Sequence, residues 1–141
     1  MLKSANRRKV LLILEWCISN FGISKYCDNF PSLRVYKSKG TSEYYADESG
    51  VRGTYGDGLI TIYLGTISSY RDLCATVIHE YKHYLMNNEE YLKIEKKMFK
   101  VCPDNDYVYE NHPHEKRAFK AEEKWGGVCY EELKTEFRKR K

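Results

Sequence analysis

The chain predicts an α+β domain. Three observations carry that reading: an amphipathic helical run near the start, two alternating runs either side of an Asp-Gly step, and helical stretches that fill the second half. Helices and strands thus segregate along the chain, where a doubly wound sheet would alternate them. Taken in order, Val10, Leu11, Leu14, Cys17, Ile18 and Phe21 recur every three or four residues and give one apolar helix face, with a stop at Asn20 and Gly22. Short β-rich pieces follow at Leu33–Tyr36 and Glu43–Ala46, split by a polar turn region. Val51–Tyr55 and Leu59–Leu64 then flank Gly56-Asp57-Gly58, the strongest hairpin signal in the chain. Their small sheet is expected to be mostly antiparallel. Ile60, Ile62 and Leu64 share one face of the second run, the face expected to pack on helices.

Ser69, with Asp72 three residues on, reads as the cap of a helix running to about Met86, where Asn87-Asn88 ends it. A looser helix covers Glu89 to about Val101, with Leu92, Glu95 and Phe99 on one stripe and Tyr91, Ile94 and Met98 on another. Pro103-Asp104-Asn105-Asp106 stops it. Pro113 suits the first turn of a further helix through Ala118 and Ala121, which is expected to break at Gly126-Gly127. A last charged helix spans Tyr130 to about Arg138.

Composition bounds the class. The 141 residues suit a single domain, and 42% hydrophobic against 31% charged residues excludes wholesale disorder. The longest apolar stretch, Val10 to Leu14, is far short of the roughly 18 residues a membrane span needs. It is equally short for the core of a secretory signal. Five dispersed cysteines (Cys17, Cys27, Cys74, Cys102, Cys129) contain no C-x-x-C pair, so reduced thiols in a cytoplasmic compartment are expected. Lys+Arg at 24 against Asp+Glu at 20 leaves +4, much of it in Arg138-Lys139-Arg140-Lys141. That excess permits nucleic-acid contact without arguing for it.

The chemistry lies at His79-Glu80-Tyr81-Lys82-His83, an H-E-x-x-H sequence inside the capped helix. Residues four apart share a helix face, so both imidazoles can meet one metal ion. Glu80 follows the first histidine closely enough to reach a metal-bound water as general base. A catalytic zinc site normally has three protein ligands and one open position. Met86 and Glu89 stand where a metzincin would carry glycine and histidine, which makes Glu89 a poor third ligand. Glu115 is the leading candidate, in the first turn of a later helix and separated from His83 by the 31 residues Tyr84 to His114. Ala118 on its face permits a close helix approach, and Glu122 can accept the outer N–H of a ligand histidine. Glu110, His112 and His114 remain alternatives; His112 and His114 also suit a helix cap or the cleft wall. Tyr107, Tyr109 or either of these histidines can supply an oxyanion donor.

The stretch from Gly53 to His83 combines Gly-x-Tyr, a hairpin, an alternating strand and the capped H-E-x-x-H helix. With His-Pro-x-Glu-x-x-Ala-x-x-x-Glu at His112 to Glu122, it resembles the core of small gluzincin-type metallopeptidases, including SprT-like and ImmA/IrrE-type domains. The resemblance covers about half the chain, and the cysteine ribbon of the SprT type is absent. It implies a minimal zincin-like fold and one zinc held by His79, His83 and Glu115. It also implies Glu80 as general base and a peptide or protein substrate laid along strand Leu59–Leu64. Two other readings stand beside it: a zincin-fold binding or sensor module with a closed metal site, and a nucleic-acid partner for the basic tail and tyrosines.

Overall fold

Among residues 2–40, 50–101 and 112–139, which the computed structural model describes, the chain forms four α-helices and a three-stranded sheet. Helix α1 (Arg7–Phe21) starts where Asn6 accepts the Lys9 N–H at 3.0 Å, and it stops at Gly22, whose φ of 78° favours glycine. Val10, Leu14 and Cys17 are buried on its face as the periodicity predicts, joined by Ile13 and Trp16.

The strands are β1 (Ser32–Tyr36), β2 (Gly53–Gly56) and β3 (Leu59–Tyr63). Asp57 and Gly58, with φ of 49° and 76°, close the predicted hairpin as a two-residue turn with both central residues left-handed. Val51 makes only an isolated bridge to Gly40, so β2 begins later than the alternation suggests. Leu64 passes into a 3₁₀ turn, Leu64–Thr66. The expected strand Glu43–Ala46 lies outside the described residues.

Two expectations are corrected. The sheet is mixed, not mostly antiparallel: its order is β1-β3-β2, with β1 parallel and β2 antiparallel to β3. One reversal separates β1 from β2 and another separates β2 from β3, so seating β3 beside β1 makes that pair parallel. The strand run Leu59–Leu64 is therefore central, with both hydrogen-bonding sides already used, and cannot pair a substrate peptide. β3 takes the centre because Ile60 and Ile62 are fully buried there.

Helix α2 (Tyr70–Leu85) opens as predicted, with Ser69 Oγ accepting the Asp72 N–H at 3.0 Å. Asp72 returns the bond one residue earlier than expected, accepting the Ser68 N–H at 3.1 Å. Helix α3 (Asn88–Val101) follows almost at once, the amides of Glu89 and Glu90 donating to Asn87 Oδ1. Helix α4 (Pro113–Phe137) runs without interruption, so the break at Gly126-Gly127 and the separate helix from Tyr130 are also corrected. A Cβ at Gly126 would lie 3.3 Å from Ala75 Cβ on α2. The glycine is there for close approach of two helices, not for termination.

Helix α2 lies at the middle of the domain. Leu73, Val77, Ile78 and Tyr81 on α2 are fully buried with Val10 and Ile13 of α1, Ile60 and Ile62 of β3, and Cys129 of α4. Cys17, Cys27, Cys74 and Cys129 are free thiols; Cys102 lies outside the described residues. No helix among the described residues is long and apolar enough to cross a membrane.

The two glycines separate cleanly by experiment. A Cβ at Gly127 meets only the mobile end of Arg71, at 3.1 Å from Nη1. Gly127→Ala is expected to stabilise the protein by about 0.5–1 kcal/mol, alanine's advantage inside a helix. Gly126→Leu is expected to cost about 1–3 kcal/mol by forcing α4 off α2. Urea unfolding of both variants measures this, and a destabilised Gly127→Ala would contradict a continuous α4.

Candidate metal centre

His79 and His83 are one turn apart on α2, so both rings project from the face turned toward α4. Glu115, at the start of α4, brings one carboxylate oxygen to both rings. Its Oε1 is 3.0 Å from His79 Nε2 and 2.9 Å from His83 Nε2. The three side chains are buried, and their ligand atoms lie within 4.8 Å of one another. Ligands about 2.0–2.1 Å from a tetrahedral ion sit about 3.3 Å apart, so the two carboxylate–imidazole distances need only slight opening to take one.

The second ring nitrogen of His79 is engaged as the spacing predicts. Nδ1 lies 3.0 Å from Glu122 Oε1, and a carboxylate there takes the N–H, so Nε2, which faces Glu115, is the nitrogen left to bind a metal once it gives up its proton. Burial opposes a charge on this ring, but the hydrogen bonds to Glu115 and Glu122 outweigh it and hold its pKa at about 9. Phe119 closes the edge of His79, with ring centres 4.6 Å apart. Glu122 is backed by Arg52, whose Nη2 is 3.7 Å from Oε2 while Nη1 binds Asp72 at 2.5 Å.

Tyr91 on α3 donates its hydroxyl proton to Glu115 Oε2 at 2.8 Å. Its ring stacks on His112, 3.9 Å between centres and 17° from parallel. His112 caps α4. Its Nδ1 accepts the His114 N–H at 3.1 Å and its Nε2 donates to the Tyr91 carbonyl at 2.9 Å, so neither nitrogen is available to a metal. His114 lines the cleft with Nε2 3.3 Å from Glu90 Oε1, and burial holds its pKa below the ordinary imidazole value. Of the candidates for third ligand, Glu115 therefore stands with the histidines, while His112 and His114 are turned to other partners. Glu89 is exposed at the start of α3. Glu110, Tyr107 and Tyr109 lie outside the described residues.

Glu80 is buried beside the cluster and lines a cleft of about 220 Å³ with Thr54 and Tyr55 of β2, His83 and Glu115. Burial pushes its carboxyl above the ordinary range, against the pull of the His79 and His83 rings. Three carboxylates, Glu80, Glu115 and Glu122, thus sit in and around one small volume, answered by a guanidinium that Asp72 already shares. An excess of buried negative charge beside two imidazoles is what a divalent cation relieves. The donor set, two imidazoles and one carboxylate, suits a divalent transition-metal ion.

Sequence reasoning missed Tyr91 and Arg52. Tyr91 falls on an ordinary helical stripe, and Arg52 sits ahead of a short strand; neither carries a local signal of its role. The fold and site together define an α+β domain with a buried His79–His83–Glu115 cluster able to hold a metal ion. No family model, curated protein or solved structure matches the chain. The site is read from its own residues.

Two measurements test this geometry. Glu122→Ala is expected to weaken zinc binding about 10–100-fold, the usual cost of losing a histidine's outer partner, in a competition titration with a chromogenic chelator. In metal-free protein the raised pKa of His79 adds stability that is complete below the ordinary 6.5 and lost as pH rises through about 9. Thermal unfolding of chelator-treated protein should show that loss. Zinc-loaded protein should not, because bound metal replaces the proton on Nε2.

Proposed function

We propose that the protein is a zinc-dependent metallopeptidase of the gluzincin type, a small zincin acting on peptides in a reducing, cytoplasmic compartment. The observation that carries this reading is Glu80. Its side chain is largely buried and lines the cleft beside the metal cluster, with no hydrogen bond to a described residue, so its carboxylate opens to the cleft. A structural acid at that depth would be paired. Held above the ordinary carboxyl range, Glu80 is suited to take a proton from the attacking water and return it to the leaving amine. Zinc bound by His79, His83 and Glu115 would supply the acidified water and polarise the scissile carbonyl.

The chain's own residues do the remaining work. Glu122 fixes the tautomer and angle of His79, and Tyr91 holds the second oxygen of Glu115. An extended peptide is best received along β2, an outer strand of the sheet order whose Gly53, Thr54 and Tyr55 line the cleft. The sensor-module reading asked for His112 or His114 as a fourth ligand. His112 has both ring nitrogens engaged and His114 faces Glu90, which favours an open fourth position.

Glu80→Gln is expected to lower peptide hydrolysis by about 10²–10⁴-fold, the usual worth of a positioned acid–base group, with zinc still bound at one ion per chain. His79→Ala is expected to lose the metal and the activity together. Full activity in Glu80→Gln would overturn the mechanism. Purified protein that takes up no zinc at neutral pH would overturn the site.

A further inference from the structure

A second groove, of about 360 Å³, lies between α2 and α4. Arg117, Lys120 and Lys124 line it from α4, three and four residues apart and therefore in one stripe; Lys82 faces them from α2. No carboxylate lines this groove, and none of the four cations makes an ion pair among the described residues. Two cations further along the chain are matched, Lys134 with Glu131 at 2.6 Å and Lys139 with Glu136 at 3.0 Å. Two of the groove's cations rest on aromatic faces instead, Lys82 Nζ 3.8 Å from the Phe21 ring centre and Lys124 Nζ 5.1 Å from that of Trp125. Such contacts hold an ammonium group in place and leave its charge unneutralised.

Met86 lines both this groove and the metal cleft, so the two adjoin across that side chain. We propose that the groove binds Asp or Glu side chains of the peptide that enters the metal cleft, so that substrates carry acidic residues to one side of the scissile bond. This inference rests on the metallopeptidase reading and names its substrate class. The mixed lining selects the peptide over a nucleic acid: Leu85, Met86, Ala121 and Trp125 alternate with the four cations, which suits separate acidic side chains with apolar stems and not a continuous phosphate backbone. Leu85, Met86 and Trp125 give the groove apolar surface suited to the stems of such side chains.

The test compares two fluorescein-labelled peptides of one length, one with a run of glutamates and one with glutamines in their place. Binding is measured by anisotropy to the zinc-loaded Glu80→Gln chain, with a single-stranded oligonucleotide of matching charge as a third probe. The glutamate peptide is expected to bind about tenfold tighter at low salt, as several exposed charge pairs together allow. That preference is expected to fall as salt rises and to vanish in Lys120→Glu/Lys124→Glu, two exposed positions whose fold is checked by circular dichroism. Equal binding of the two peptides, or a preference that survives the double substitution, would overturn the proposal. So would tighter binding of the oligonucleotide that is lost in the same variant. The two readings fail separately. A glutamate preference in a wild-type chain that hydrolyses neither peptide sustains the basic groove and removes the peptidase. Hydrolysis without preference does the reverse.

Discussion

The carboxylate of Glu115 between the two imidazoles of α2 is the contact on which the rest of the structure depends. Only 2% of the residue is exposed, and a carboxylate taken that far from water is costly unless every oxygen is answered. Oε1 is answered by His79 and His83, and Oε2 by Tyr91. These partners come from two different helices, so α2, α3 and α4 must meet at one point. Small residues make that possible. Ala118 is fully buried, one turn beyond Glu115, and Gly126 lies against Ala75 further along the same seam. The long α4 is thus a lever whose first turn is set by packing along its whole length.

Support for the cluster extends outward in two directions. On one side, Glu122 and Arg52 link His79 to the segment just before β2, so the strand beside the cleft and the ligand histidine are held by one chain of charges. On the other side, His112 caps α4 and stacks on Tyr91, joining the start of α4 to α3. Neither link belongs to the His79–His83–Glu115 cluster, yet both set where its side chains point. Such outer partners reduce the freedom that the rings would otherwise lose on binding an ion.

Charge is partitioned across this architecture in a way that the net value conceals. The chain's excess of +4 looks, from sequence, like a property of its basic C-terminal run. In the fold, acids gather around the His79–His83–Glu115 cluster, while Lys82, Arg117, Lys120 and Lys124 line the adjoining groove without carboxylate partners among the described residues. Helix α4 carries both patterns because Glu115 and Glu122 lie seven residues apart on one face, and Arg117 and Lys124 lie seven apart on the nearly opposite one.

The sequence by itself determined what depends on near neighbours. The caps at Asn6 and Ser69, the Asp57-Gly58 turn, the helix carrying His79 and His83, and the shared face of Glu115, Ala118 and Glu122 all follow from spacings within a few residues. Tertiary structure alone decided the order β1-β3-β2, which puts Leu59–Tyr63 at the centre and Gly53–Gly56 at the outside of the three described strands, beside the cleft. It also decided that Gly126 marks a helix contact where local chemistry suggests a break, and that Tyr91 and Arg52 belong to the site. The physical reason is range. Capping, turn geometry and helical periodicity are settled by atoms one or two turns away along the chain. Which strand is central, which helices touch and which distant side chain answers a buried carboxylate are settled by the packing of whole surfaces, and no local pattern in this chain encodes them.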